Sequence, residues 1–111
     1  KSLGGVKVIS IDKEKLINKL HEISNIIKKE NRDVDDIRIF GSIAKNMETG
    51  TSDLDILIIL KDTKEKMIKR SLKYRKYFNL SISVDILVLT RKEIKGENFF
   101  IKNILKESVP V

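Results

Sequence analysis

The chain contains no cysteine, which removes disulfides, zinc-finger spacing and thiol nucleophiles together and fits the cytoplasm as the expected compartment. Any metal ion must therefore sit on oxygen ligands or on the single histidine, His21. Long apolar runs are missing as well. The longest, residues 56–60, is five residues, far short of the roughly 20 needed to cross a bilayer. No membrane span is expected, and the opening residues hold no apolar stretch of signal-peptide length. Aromatic residues are scarce: two Tyr, four Phe and no Trp. That composition lacks the stacking platforms of single-strand and RNA binders, so nucleic acid is not the first partner to expect.

What is present describes one globular unit. The 111 residues suffice for one modest core and not for two, so residues 1–111 are expected to form a single domain. Hydrophobic residues at 41% beside charged residues at 35% can bury enough apolar surface to offset the entropy of ordering. A formal charge of +7 biases the chain toward anionic partners such as triphosphates or acidic surfaces.

Periodicity then places the elements. After Asp12, a plausible cap, Leu16, Leu20, Ile23 and Ile27 recur at helical spacing, and the polar cluster at 31–36 should end that helix. Residues 37–40 form a short β-prone run that meets Gly41-Ser42, a pair able to turn sharply and cap a following helix. Residues 46–52 are rich in turn formers. They lead into 54–60, an almost wholly apolar run that reads as a central strand buried on both faces. Between residues 62 and 80, Met67, Ile68, Ser71, Leu72, Tyr74 and Phe78 give a second amphipathic pattern, with Met67, Tyr74 and Phe78 expected in the core and Lys64, Lys69, Arg70, Lys73 and Lys76 on the outer face. A further β run at 82–89 and a weak helix at 99–105 complete an α/β arrangement, a small sheet flanked by helices. His21 falls on the flank of the first helix and is given no role.

Three carboxylates interrupt the apolar strands: Asp53, Asp55 and Asp85. Residues two apart in a strand share a face, so Asp53 and Asp55 project together, and an adjacent strand would bring Asp85 to them. Such a cluster repels itself unless a cation sits within it, and hard oxygen ligands suit Mg²⁺ or Mn²⁺ bound together with phosphate. Gly41-Ser42, closing one strand and opening a helix, offers backbone N–H groups, a hydroxyl and room for a phosphate.

The segment Gly41-Ser42-Ile43-Ala44-Lys45-Asn46-Met47-Glu48-Thr49-Gly50-Thr51-Ser52-Asp53-Leu54-Asp55 resembles the Gly-Ser, ten residues, Asp-x-Asp signature of the DNA polymerase β-like nucleotidyltransferase superfamily, and Asp85 matches its third carboxylate. The short length and leading helix resemble the minimal nucleotidyltransferase branch, the type paired with HEPN-domain toxins. The resemblance implies a polymerase β palm-like fold of mixed sheet and helices. It also implies catalytic and metal-holding roles for Asp53, Asp55 and Asp85, and nucleotide contacts by Gly41, Ser42, Lys45 and Ser52. Many relatives have Arg-Gly where this chain has Lys45-Asn46, which keeps the charge and loses the bidentate fork.

The reaction implied by the resemblance is transfer of a nucleoside monophosphate, AMP from ATP or another nucleoside triphosphate, onto an acceptor hydroxyl by a two-metal mechanism. Adenylylation of a HEPN-domain toxin would make the chain an antitoxin. The alternative is a binding module that keeps the carboxylates and masks a partner. No room remains for an acceptor-binding domain, which suggests that a second chain, a partner or another copy, completes the site.

Overall fold

A computed structural model describes residues 13–41 and 53–111. The elements run α1 (Lys13–Glu30), β1 (Val34–Phe40), β2 (Leu54–Leu60), α2 (Met67–Arg75), β3 (Val84–Thr90), α3 (Arg91–Lys95), α4 (Phe99–Glu107) and β4 (Val109–Pro110). The strands form one sheet in the order β3-β2-β1-β4. β1 is antiparallel to both β2 and β4, and β2 is parallel to β3. This is a mixed sheet flanked by helices, as the sequence predicts.

β2 is central, and its alternation decides the two sides of the sheet. Leu54, Ile56, Ile58 and Leu60 join Ile37 and Ile39 of β1, Leu20, Ile23 and Ile27 of α1 and Tyr74 of α2 in the larger core cluster. Leu57 and Ile59 face the other way, where they meet Leu89 of β3 and Ile104 of α4 in a smaller one. The strand thus has helices on both faces, which is why its sequence reads as nearly continuous apolar residues.

β1 begins earlier than the polar cluster at 31–36 suggests. Asn31, Arg32 and Asp33 make the turn, and Val34 is already buried and paired with Leu60. The register shifts between Val34 and Asp36, and Asp36 Oδ1 accepts the Ile37 N–H there at 2.9 Å. Asp35 stays exposed and takes a bidentate grip from Arg91. Charged residues can occupy this strand because they alternate with buried ones and have partners.

α2 is rotated relative to the expectation. Met67 is 46% exposed, Ile68 80% and Leu72 61%, whereas Arg70 and Tyr74 are buried. Tyr74 and Phe78 are in the core as expected, and Met67 is not. Arg70, assigned to the outer face by its charge, turns inward because its guanidinium finds acceptors there. Nε donates to Glu65 O at 2.8 Å, and Nη1 to Val88 O at 3.2 Å and Glu93 Oε1 at 2.7 Å. Glu93 is also the reciprocal partner of Thr90 in the capping box that opens α3, so one carboxylate joins α2, β3 and α3. Burial works against its ionisation, but the hydrogen bonds from Arg70 and the Thr90 backbone outweigh that and hold the carboxyl below its ordinary range.

The C-terminus closes the sheet in a way the weak apolar pattern does not announce. α4 is capped by Asn98, whose side chain accepts from Ile101 N–H. Beyond it Ser108 receives the Arg38 guanidinium at 2.6 Å, and β4 pairs with Arg38 and Ile39 of β1. No helix among the described residues is long and apolar enough to cross a membrane.

Candidate functional site

The carboxylates gather where the smaller core cluster runs out. On that face β2 reads Asp55, Leu57, Ile59, with Asp53 just ahead of the strand, so the acidic residues stand at its entry and the apolar ones fill the rest. β3 runs parallel with Asp55 opposite Asp85, Leu57 opposite Leu87 and Ile59 opposite Leu89. Parallel pairing without a register shift repeats the pattern on both strands and brings Asp85 to the side of Asp55. Leu54 N–H donates to Ser83 O at 2.8 Å, which fixes the entry of the two strands together.

Asp55 is half-buried while Asp53 and Asp85 are exposed. Its carboxyl is raised above the usual range, first by burial, then by the negative charges of Asp85 and Asp53. Asp55 is thus the carboxyl on which burial and the neighbouring negative charges converge.

On the β1 side Asp55 lies opposite Phe40, and the next residue is Gly41. Its φ of 78° is left-handed, and a Cβ built there would run into Oδ2 of Asp55. Glycine is required twice over, for the backbone conformation and for the space. The Gly41 reading thus has a specific neighbour that spacing alone could not identify. Ser42, Lys45 and Ser52, together with the capping role of Asp12, lie outside the described residues.

On the β3 side a cavity of about 600 Å³ opens between Asp53 and Asp85, lined also by Phe78 and Ile82 and by the cations Arg75 and Lys76. These two cations stand at the C-terminal end of α2. The sequence pattern puts Lys76 on a solvated face only and does not single out Arg75. Their position at the last helical turn, a few residues ahead of the Asp85 strand, is the signal that points to them.

Among the described residues no three acidic or imidazole side chains are drawn together tightly enough to hold a metal ion as they stand. The chemistry of the donor set nevertheless fits a hard divalent cation. It offers carboxylate oxygens only, and the burial of Asp55 together with the charges of Asp85 and Asp53, which raise its carboxyl, would be offset by a cation. His21 is exposed on α1.

The family model for the nucleotidyltransferase domain matches residues 20–111. A candidate nucleotidyltransferase from Sulfolobus solfataricus, solved by crystallography, superposes with a TM-score of 0.68 and 25% identity over 88% of this chain and 80% of its own. A toxin–antitoxin structure with AMP-PNP superposes with a TM-score of 0.58 and 16% identity, over 90% of this chain and 72% of its own. At that identity the second likeness is one of fold. No curated protein matches the sequence.

Proposed function

We propose, since the chain belongs to the nucleotidyltransferase domain family, that it transfers AMP from ATP to an acceptor hydroxyl through Asp53, Asp55 and Asp85. The observation that carries this reading is the line Gly41–Asp55–Asp85. A glycine with no room for a side chain stands against a carboxylate whose proton affinity is raised, and a second carboxylate sits beside it in register.

The three carboxylates would hold Mg²⁺ or Mn²⁺, which when bound neutralises charge on both sides of an in-line displacement. Gly41 and Ser42 would receive the triphosphate, with backbone N–H groups for its oxygens, and Lys45 and Ser52 would add contacts to it. Asp85, on the far side of Asp55 from Gly41, would accept the proton of the acceptor hydroxyl. The hydroxyl oxygen forms its bond to the α-phosphorus, the bond from the α-phosphorus to the bridging oxygen breaks, and pyrophosphate leaves with the electron pair.

The toxin–antitoxin neighbour supports a partner protein as the acceptor, a tyrosine of a HEPN-domain toxin being the first to test. Co-expression with such a partner followed by mass spectrometry should find an added AMP with the wild-type chain and none with Asp53→Asn. Modification that persists undiminished in Asp53→Asn would refute the assignment.

A further inference from the structure

α2 carries an exposed surface that enters neither core cluster of the described residues. Ile68 and Leu72 are 80% and 61% exposed, and with Arg75 they lie at i, i+4 and i+7, one stripe of the helix. Lys69, Lys73 and Lys76, all exposed, have the same spacing and form a second stripe beside the first. Both end at the cavity, because Arg75 and Lys76 line it together with Asp53 and Asp85. Lys73 and Lys76 are set over the rings of Tyr74 and Tyr77 at 5.6 and 5.3 Å, which steadies their stems without neutralising their charge. Among the described residues no carboxylate pairs with Arg75, Lys69, Lys73 or Lys76.

The cavity lies on the Asp85 flank of the carboxylates, and Gly41 on the other. If triphosphate rests at Gly41, an in-line displacement brings the acceptor in from the Asp85 side. The apolar stripe decides what kind of acceptor. A polynucleotide backbone would leave Ile68 and Leu72 facing phosphates, whereas a protein segment can cover them and present carboxylates to the adjoining lysines.

We infer that α2 and the cavity form the docking surface for a protein segment in which apolar side chains and carboxylates flank the acceptor hydroxyl. This rests on the nucleotidyl-transfer reading for the direction of approach. The apolar residues seat on Ile68 and Leu72, the carboxylates on the lysine stripe, and those nearest the hydroxyl on Arg75 and Lys76, so that the hydroxyl meets Asp85.

The test measures binding of a labelled random copolymer of glutamate and tyrosine, in parallel with a labelled RNA oligonucleotide ending in a free hydroxyl and with ATP. The wild-type chain should bind the acidic copolymer more tightly than the RNA. The double variant Arg75→Glu/Lys76→Glu, on exposed positions at a helix end, should lose at least about tenfold of that affinity. Its circular dichroism and its affinity for ATP should stay within about twofold of wild type. Leu72→Ser should weaken the copolymer less than the charge reversal does. Tighter binding of RNA, equal loss of ATP and copolymer affinity, or no loss in the double variant would each overturn the inference. If binding depends on Arg75 and Lys76 but no α-phosphate label from ATP reaches tyrosine, the docking surface stands and the transfer reading falls.

Discussion

The two faces of β2 are made by the same seven residues and put to different uses. Toward α1 and α2 the strand presents Leu54, Ile56, Ile58 and Leu60, all buried in the larger cluster. Toward α3 and α4 it presents Leu57 and Ile59, and then Asp55 preceded by Asp53. One face is complete as packing; the other is apolar only in its later half and leaves its beginning to carboxylates that repel one another. The difference shows how a small domain can carry a charged site. The larger core supplies the stability, and the mutually repelling charges sit where few apolar contacts are given up.

Substitutions on the two faces of the one strand should have opposite effects. Asp53→Asn should lower nucleotidyl transfer by at least about a thousandfold while leaving the melting temperature unchanged or higher. Ile56→Ala, on the opposite face, should cost about 3 kcal/mol of stability and leave activity per folded molecule near wild type. Chemical denaturation and a label-transfer assay on the two variants check this. A reversed pattern would mean that Asp53 is structural.

Next in size is the junction that holds α2 against β3. Glu93→Ala leaves the buried Arg70 guanidinium without its carboxylate and should cost about 2 kcal/mol. Because the Glu93 carboxyl is held below its ordinary range, its contribution is present above the unfolded pKa and fades as pH falls through the folded one. The gap between wild type and Glu93→Gln, measured by denaturation across acid pH, should therefore narrow toward low pH. A gap independent of pH would exclude the ionised pair as its source.

Gly41→Val probes the edge of the site. It forces a branched residue into a left-handed φ and its Cβ into Asp55, so ATP affinity should fall by more than the roughly 1–2 kcal/mol that the backbone alone costs in stability. Calorimetric titration with ATP, set beside a melting curve, separates the two losses. Unchanged ATP affinity would make Gly41 a purely structural turn.

The smallest effect belongs to the larger core. Tyr74 is buried with its hydroxyl unpartnered among the described residues. Burial, followed by the nearby charges of Asp33 and Glu65, pushes its pKa up to about 12. Tyr74→Phe removes a polar atom that makes no bond and should be neutral or stabilising by up to about 1 kcal/mol. A clear loss of stability would reveal a partner for that hydroxyl.

Much of the fold is legible in the residues alone. β2 announces itself because a strand covered on both faces needs apolar residues at nearly every position, and an interruption by Asp at its head has few structural excuses. The acidic positions follow from the two-residue repeat. Periodicity fails in α2, where Met67, Ile68 and Leu72 look like core and Arg70 like surface. The orientation there is decided by Glu93, Val88 O and Glu65 O, acceptors that lie outside the helix. The contact of Gly41 with Asp55 is likewise a tertiary fact, whereas Arg75 and Lys76 leave only a faint trace in the sequence, their place at the end of a helix shortly before the Asp85 strand.

On the proposed reading the carboxylate cluster gives up stability of the free chain for a bound cation and nucleotide, and Asp55 is the residue at which this exchange can be read. A carboxyl raised in the folded state stabilises below the unfolded pKa and costs stability as pH rises through the folded one. At neutral pH without divalent metal, Asp55→Asn should therefore melt above wild type. With Mg²⁺ and ATP together the order should reverse, because only the wild-type chain gains from binding. Melting temperatures that keep the same rank in both conditions would contradict the account.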